Sequence, residues 1–315
     1  MAGDSLNTYT GGASKANFFL YQTEDAFSEY RVEEYNWLFA AERADSAGVD
    51  VINSSLGYNT FDDPSMDYTY ESLDGKTSVV SRAAHKAFER GILVVNAAGN
   101  EGATSWKYIV VPADAEGVIA CGAVDHAGAR TAFSSVGPSS DGRVKPDVSA
   151  LGQGSVVVTS SGSIASGDGT SFSSPLIACL VTGLRQALPD ASAKEIYQRV
   201  VNSASQATHP DDLLGYGIPN FTIAKNLTGF SDEFAVYPNP SFNEWIKLIF
   251  EDPQGQSFHV SVFNLAGQKA IDFSDTISWS NNPYAIDLSG LATGVYIIKI
   301  QTPASAKTLR LLRIN

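Results

Sequence analysis

The sequence predicts two folds in series: an α/β domain whose parallel sheet carries helices on both faces, then an all-β sandwich. Three observations point there. As far as about residue 225, short apolar runs such as Ile92-Leu93-Val94-Val95 alternate with stretches of helical period. Beyond Asn226 the helical period disappears, and short alternating runs are separated by Pro, Gly, Asn and Ser. At 315 residues the chain exceeds a usual single domain. The composition shift divides it into 1–225, a linker at 226–234, and 235–315.

Taken in order, Ala16–Tyr21 predicts a buried strand bounded by turn residues. A helix is expected from about Glu29 to Ala47, with Val32, Tyr35, Leu38, Phe39 and Ala41 on its inner face and Gly48 as C-cap. Val49–Asn53 is the next strand, completing a β-α-β unit. An acidic loop, about 59–75, leads to a helix from Thr77 to Arg90. Strands follow at Ile92–Ala97 and Gly117–Val124. This alternation implies right-handed crossovers, with ligands at the carboxyl ends of the strands. The segments Ser54–Tyr58 and Asn96–Gly102 fall there.

Leu176–Leu184 reads as a buried helix, and Ser192-Ala193-Lys194-Glu195 is a capping box opening an amphipathic helix through Ile196, Val200 and Val201. In the last part, strands are expected at Trp245–Phe250, Ser257–Phe263, Tyr284–Leu288, Val295–Ile300 and Leu309–Ile314. Alternation directs Val260, Val262, Tyr296, Ile298 and Ile300 inward.

Hydrophobic residues at 43% and charged residues at 17% describe an ordered globular chain. The formal net charge of -13 argues against nucleic acid as a partner, because phosphate binding needs clustered Lys and Arg. No run reaches the length of a membrane helix. The first residues, Met1-Ala2-Gly3-Asp4-Ser5, lack the basic and apolar regions of a signal peptide. Cys121 and Cys179 each lie in an apolar run and read as small buried hydrophobes, with a disulfide between them left open.

The chemistry-bearing stretch is Gly169-Thr170-Ser171-Phe172-Ser173-Ser174-Pro175, which delivers a serine to the start of the 176–184 helix. Backbone N–H groups and the positive helix end suit an oxygen that develops negative charge, although a serine there also serves as a plain N-cap. A second stretch, Asn96-Ala97-Ala98-Gly99-Asn100-Glu101-Gly102, follows the Ile92–Val95 run. Together these resemble the nucleophile and oxyanion segments of the subtilisin-like serine proteases (subtilases, peptidase family S8). Ser54–Tyr58, Val118–Asp125, Phe133–Pro138, Lys145–Ala150 and Gly215–Asn220 resemble further segments in the same order. The likeness covers about Gly11–Lys225.

The resemblance implies Ser171 as nucleophile, Asn100 as oxyanion donor, and Ser55, Leu56, Gly57, Ala98, Gly99 and Thr170 as residues lining an extended peptide substrate. It also implies an Asp and a His ahead of the serine, but only His85 and His126 precede Ser171, and neither sits in the family's His-Gly-Thr context. His85 falls on the polar side of its helix and His126 in a polar loop. The expectation is that this chain starts inside a longer protease and is inactive alone. Calcium, which that family often binds, stays open with no ligands assigned, since the stretch Asp62–Asp67 contains Pro64 and lacks the alternation of an EF-hand loop. No metal ligands and no other cofactor are expected.

The tail resembles the C-terminal sorting domain of bacterial type IX secretion through Val236-Tyr237-Pro238-Asn239-Pro240, Val262–Gln268 and Gly290–Lys299. A generic adhesive sandwich is the alternative. Three functions follow as expectations: a piece of a secreted serine endopeptidase, a non-catalytic peptide-binding relative, or a secretion cargo whose tail is the working part. Expected partners are a protein or peptide substrate and the type IX machinery, with the protein secreted or at the cell surface.

Overall fold

The apolar runs of the first 225 residues become a four-stranded parallel sheet, because their residues are apolar on both sides and demand cover on both. A computed structural model of the chain describes residues 1–5, 9–159, 161–227, 234–242, 244–250, 255–278, 283–303 and 306–314. Two units emerge, Met1–Lys225 and Asn226–Asn315. Most of the expected linker at 226–234 lies outside the described residues.

The first unit opens with a two-residue ladder, β1 (Asp4–Ser5) with β2 (Tyr9–Thr10), and continues through α1 (Val32–Ser46), β3 (Val51–Ser54), α2 (Val79–Glu89), β4 (Leu93–Ala97), β5 (Ile119–Val124) and β6 (Val148–Leu151). A hairpin, β7 (Ser155–Val158) and β8 (Ile164–Gly167), precedes α3 (Thr170–Ala187), α4 (Ala193–Asn202) and α5 (Phe221–Asn226). The parallel order is β3-β4-β5-β6, with Ile52 beside Val94, Asn96 beside Ala120 and Gly122 beside Ser149.

Period-two alternation sorts the strand residues between two cores. Val94 and Ala120 pack with Trp37, Ala41, Val80, Ala83 and Ala84 of α1 and α2. Leu93, Val95, Ile119 and Cys121 pack with Ile177, Ala178, Val181 and Leu184 of α3 and Ile196 of α4. The sheet is therefore covered by helices on both faces, as expected.

Two expectations fail locally, and two strand elements go unforeseen. Ala16–Tyr21 forms no strand: Leu20 is 90% exposed and Phe19 57%, for an apolar run without a partner ladder leaves its backbone to water. The inner face of α1 is not the apolar stripe, since Val32, Tyr35 and Phe39 are exposed while Glu33, Glu34, Trp37, Ala41 and Ala44 are buried. Specific hydrogen bonds decide this. Glu34 accepts from the Tyr68 hydroxyl at 2.6 Å and from the Val80 N–H in the first turn of α2 at 3.0 Å, and Trp37 Nε1 donates to Ser54 Oγ at 3.1 Å. Lys145–Ala150, read only as a connecting segment, supplies β6, and the hairpin β7–β8 was not foreseen. Both cysteines are free, Cys121 buried and Cys179 partly so.

The second unit is two antiparallel sheets sharing one core. Strands β9 (Phe234–Tyr237), β10 (Trp245–Phe250) and β13 (Tyr284–Asp287) form the order β13-β10-β9. Strands β11 (Gln256–Asn264), β12 (Lys269–Ile277), β14 (Gly294–Gln301) and β15 (Ala306–Arg313) form β12-β11-β14-β15. Ile246, Leu248, Phe250 and Ile286 of one sheet meet Val260, Val262, Tyr296, Ile298 and Ile300 of the other. The inward set is the expected one. Strand β12 was missed although Ile271 and Phe273 alternate, because Asp272 and Asp275 interrupt its apolar character.

Beneath the parallel sheet lies a buried ion pair. Lys145 Nζ donates to Asp147 Oδ2 at 2.7 Å and to the Ala115 and Val118 carbonyls, both at 3.1 Å. Asp147 also accepts the Ala120 N–H of β5 and the Tyr197 hydroxyl of α4, so one carboxylate joins β5, α4 and the start of β6. Burial pulls the Lys145 ammonium pKa down and Asp147 pushes it back up. Removing one partner of such a pair strands the other charge, so Asp147→Ala is expected to lower the unfolding free energy by about 3–5 kcal/mol in urea titration. A loss below about 1 kcal/mol would show that the pair holds nothing together.

Candidate active site

Gly169, in the left-handed region at φ +146°, turns the chain from β8 into α3, and a Cβ there would stand 3.7 Å from the Asn100 amide. Ser171 is the second helical residue, at the positive end of an 18-residue helix. Four residues on is Pro175, which has no N–H to offer the Ser171 carbonyl. The Ser55 hydroxyl, just beyond β3, donates to that carbonyl instead at 3.1 Å. In return Ser171 Oγ reaches the Ser55 carbonyl at only 3.5 Å, a bond too long to hold the hydroxyl firmly.

Two more serines stitch the helix to the strand ends. Ser173 Oγ donates to Ala150 O at 3.0 Å and Ser174 Oγ to Asn53 Oδ1 at 2.9 Å. These two ties were not anticipated; the run Ser173-Ser174 was the available signal, read only as small residues. The first turns of α3 thus rest on β3 and β6.

The third anchor is Asn100, three residues past β4. Its Oδ1 accepts from the Thr170 N–H at 2.9 Å and from Thr170 Oγ1 at 3.1 Å, while Thr170 Oγ1 accepts from the Gly99 N–H at 3.3 Å. A backbone N–H requires an acceptor, so the carboxamide oxygen must face Thr170. The Nδ2 group is therefore directed away from Thr170, on an exposed residue. Gly99 sits at φ +114° with room for no side chain, since a Cβ would come within 2.7 Å of Ser135 Oγ. Buried Ala98 exchanges backbone bonds with Cys121 and Val110.

Ser55-Leu56-Gly57 forms an exposed-edge segment beside the serine. Asn96 Nδ2 donates to the Leu56 carbonyl at 3.0 Å, and Tyr58 exchanges both backbone bonds with Val111. A Cβ on Gly57 would meet Val110 at 2.2 Å. All eight residues singled out from the sequence, Ser55, Leu56, Gly57, Ala98, Gly99, Asn100, Thr170 and Ser171, fall in this network or on its border.

The histidines do not. His85, partly exposed on α2, bonds the Glu116 carbonyl at 3.0 Å and pairs with Glu89 at 3.3 Å. His126 lies exposed in a turn near Gly154. Among the described residues no imidazole bonds to Ser171. The arrangement holds a hydroxyl at a helix N-terminus and an amide donor on an anchored side chain, with no base joined to the hydroxyl.

A polar cluster missed in the sequence adjoins the Ser55 segment. The Tyr58 hydroxyl donates to Glu24 Oε1 at 2.8 Å, and burial followed by Glu24 raises its pKa. Burial, then Glu33, pushes the Glu29 carboxyl up to about 7. No role was assigned to these acids from the sequence, for they are spread over the ten positions 24–33.

Comparison with known proteins places the chain in a family. A model of the subtilase family matches residues 1–217, and one described as a secretion system C-terminal sorting domain matches residues 235–314. Subtilisin DY of Bacillus licheniformis is 36% identical over 177 residues, 56% of this chain and 56% of that protein. Subtilisin BL of Lederbergia lenta is 34% identical over 184 residues, covering 58% of this chain and 59% of that protein. The chain thus spans little more than half the length of these relatives. The self-cleaved protease domain of PatA superposes with a TM-score of 0.51 at 23% identity, over 62% of this chain and 68% of that one, and shares the fold. Among the described residues no helix is long and apolar enough to cross a membrane.

The Ser55 hydroxyl replaces the donor that Pro175 lacks, in a half-buried setting. Ser55→Ala is expected to cost about 1 kcal/mol of unfolding free energy by denaturant titration. Full stability in Ser55→Ala, with Pro175 intact, would mean that water satisfies the Ser171 carbonyl as well.

Proposed function

We propose, since this chain belongs to the subtilase family, that Ser171 is the nucleophile of a serine endopeptidase and that Asn100 Nδ2 donates to the oxyanion of its tetrahedral intermediate. The supporting observation is the double hydrogen bond from Thr170 to Asn100, which sets the amide donor beside the helix end that carries the serine. Ser55-Leu56-Gly57 and Ala98-Gly99 would pair with an extended peptide, their small side chains allowing its backbone to come close. Ser171 Oγ attacks the peptide carbonyl, its proton passes to a base, and collapse of the oxyanion breaks the C–N bond as the base returns that proton to the leaving amine, which leaves an acyl-enzyme. Among the described residues no imidazole is bonded to Ser171, so we infer that the first proton finds no good acceptor among them.

The tail is a type IX sorting domain, and the protein is secreted or held at the cell surface. We place the boundary between catalytic and sorting units at 226–234. The sorting machinery would be the tail's partner.

The full chain is expected to hydrolyse peptides at background rate, because loss of triad members costs orders of magnitude in kcat even with the oxyanion donor in place. A serine-directed fluorophosphonate should still label Ser171 slowly, and Ser171→Ala should abolish the label. Absence of any label after saturating exposure would favour the non-catalytic peptide-binding relative, since an unreactive serine at this helix end has no role in acyl transfer.

Residues 234–315 fused behind a carrier with an export leader are expected to carry it out of a type IX-competent host. If the fusion stays in the periplasm while another cargo leaves the same cells, the tail is an adhesive sandwich and not a sorting signal.

A further inference from the structure

Among the described residues outside the serine site, one group of ionisable side chains has no role in catalysis. Glu24, Glu29 and Glu33 each bring a carboxylate oxygen to within 4.8 Å of the others, in the segment that leads into α1. Three carboxylates that close repel one another, and either a shared proton or a cation among them relieves the repulsion. Glu33 is only 2% exposed, and while its Oε1 accepts the Asp25 N–H at 2.8 Å, its buried Oε2 meets no hydrogen-bond donor among the described residues. A buried carboxylate oxygen left unpartnered costs free energy that a ligand would return.

We propose that Glu24, Glu29 and Glu33 form a binding site for a divalent cation of calcium's size. An all-oxygen, all-carboxylate set suits a hard cation and offers nothing soft for zinc or copper. Calcium holds its oxygens at roughly 2.3–2.6 Å, so any two of its ligands lie within about 5 Å of each other, a span that the three acids already meet. Water and backbone carbonyls would complete the shell.

The surroundings fix the acids in place. Glu24 Oε1 accepts from the Tyr58 and Thr23 hydroxyls, both at 2.8 Å. Residue Glu29 is paired with Asp62 through two backbone contacts, its N–H donating to Asp62 Oδ2 at 3.3 Å and its carbonyl accepting from the Asp62 N–H at 3.0 Å. Asp62 brings a fourth carboxylate to the border of the cluster. Glu33 belongs to the first turn of α1. A cation here would tie the 24–29 segment to α1 and, through Tyr58, to the Ser55–Gly57 segment beside Ser171. Its consequence is rigidity of the substrate-binding edge, not a step in catalysis.

The full chain, stripped with a chelator, is titrated with calcium chloride by calorimetry, and its Tm is followed in parallel. Calcium should bind and raise Tm, and binding should weaken by about tenfold or more in Glu29→Gln and in Glu33→Gln. Glu71→Gln, an exposed carboxylate elsewhere, should bind like the parent. Circular dichroism checks each variant; should Glu33→Gln unfold, the half-exposed Glu29→Gln gives the answer alone. Calcium should also slow proteolysis within 16–31. No heat and no Tm shift at millimolar calcium, or undiminished binding in folded Glu29→Gln, would overturn the proposal.

Discussion

The pair of hydrogen bonds from Thr170 to the Asn100 side chain is the constraint on which the site depends. It satisfies one of the N–H groups that every helix start leaves unpaired, and it does so with a side chain from the next strand end. The same contact dictates which way the amide faces. Loss of it would free both the helix end and the donor group. Gly99 and Gly169 flank this junction with positive φ angles that other residues rarely adopt, and at Gly99 a Cβ would also come within 2.7 Å of Ser135 Oγ.

Around that junction the helix is held by bonds that do not belong to it. Pro175 removes an internal donor, and Ser55 restores it from β3; Ser173 and Ser174 reach β6 and Asn53. A helix bound to three strand ends can hold its second residue at a fixed place without gripping that residue's own hydroxyl. The long contact of Ser171 Oγ to the Ser55 carbonyl is the result. Among the described residues no imidazole takes part in that contact.

Much of this was legible because apolar periodicity reports burial directly. The strands at Ile92–Ala97 and Gly117–Val124 and the inward set Val260, Val262, Ile298 and Ile300 were readable, since nothing polar competes at those positions. Reading failed where polar groups overrode the pattern. On α1, Glu34 turned inward to serve Tyr68 and Val80, which carried Val32, Tyr35 and Phe39 to the surface. The run Ala16–Tyr21 has strand character but no ladder to join. The eight candidate site residues were singled out through their wording. The anchors Asn53, Ser173 and Ser174 were not, for a hydroxyl's partner more than 20 positions away leaves no local mark.

The central proposal is that Ser171 and Asn100 serve as nucleophile and oxyanion donor with no base joined to the hydroxyl among the described residues, and small-molecule rescue tests it most directly. Acylation of Ser171 by an activated ester, followed by mass spectrometry of the full chain, is measured with rising free imidazole. The account predicts an imidazole-dependent rate at Ser171 that vanishes in Ser171→Ala and falls by about 10²–10³ in Asn100→Leu. A rate that ignores imidazole, or that is the same in Asn100→Leu, would contradict it.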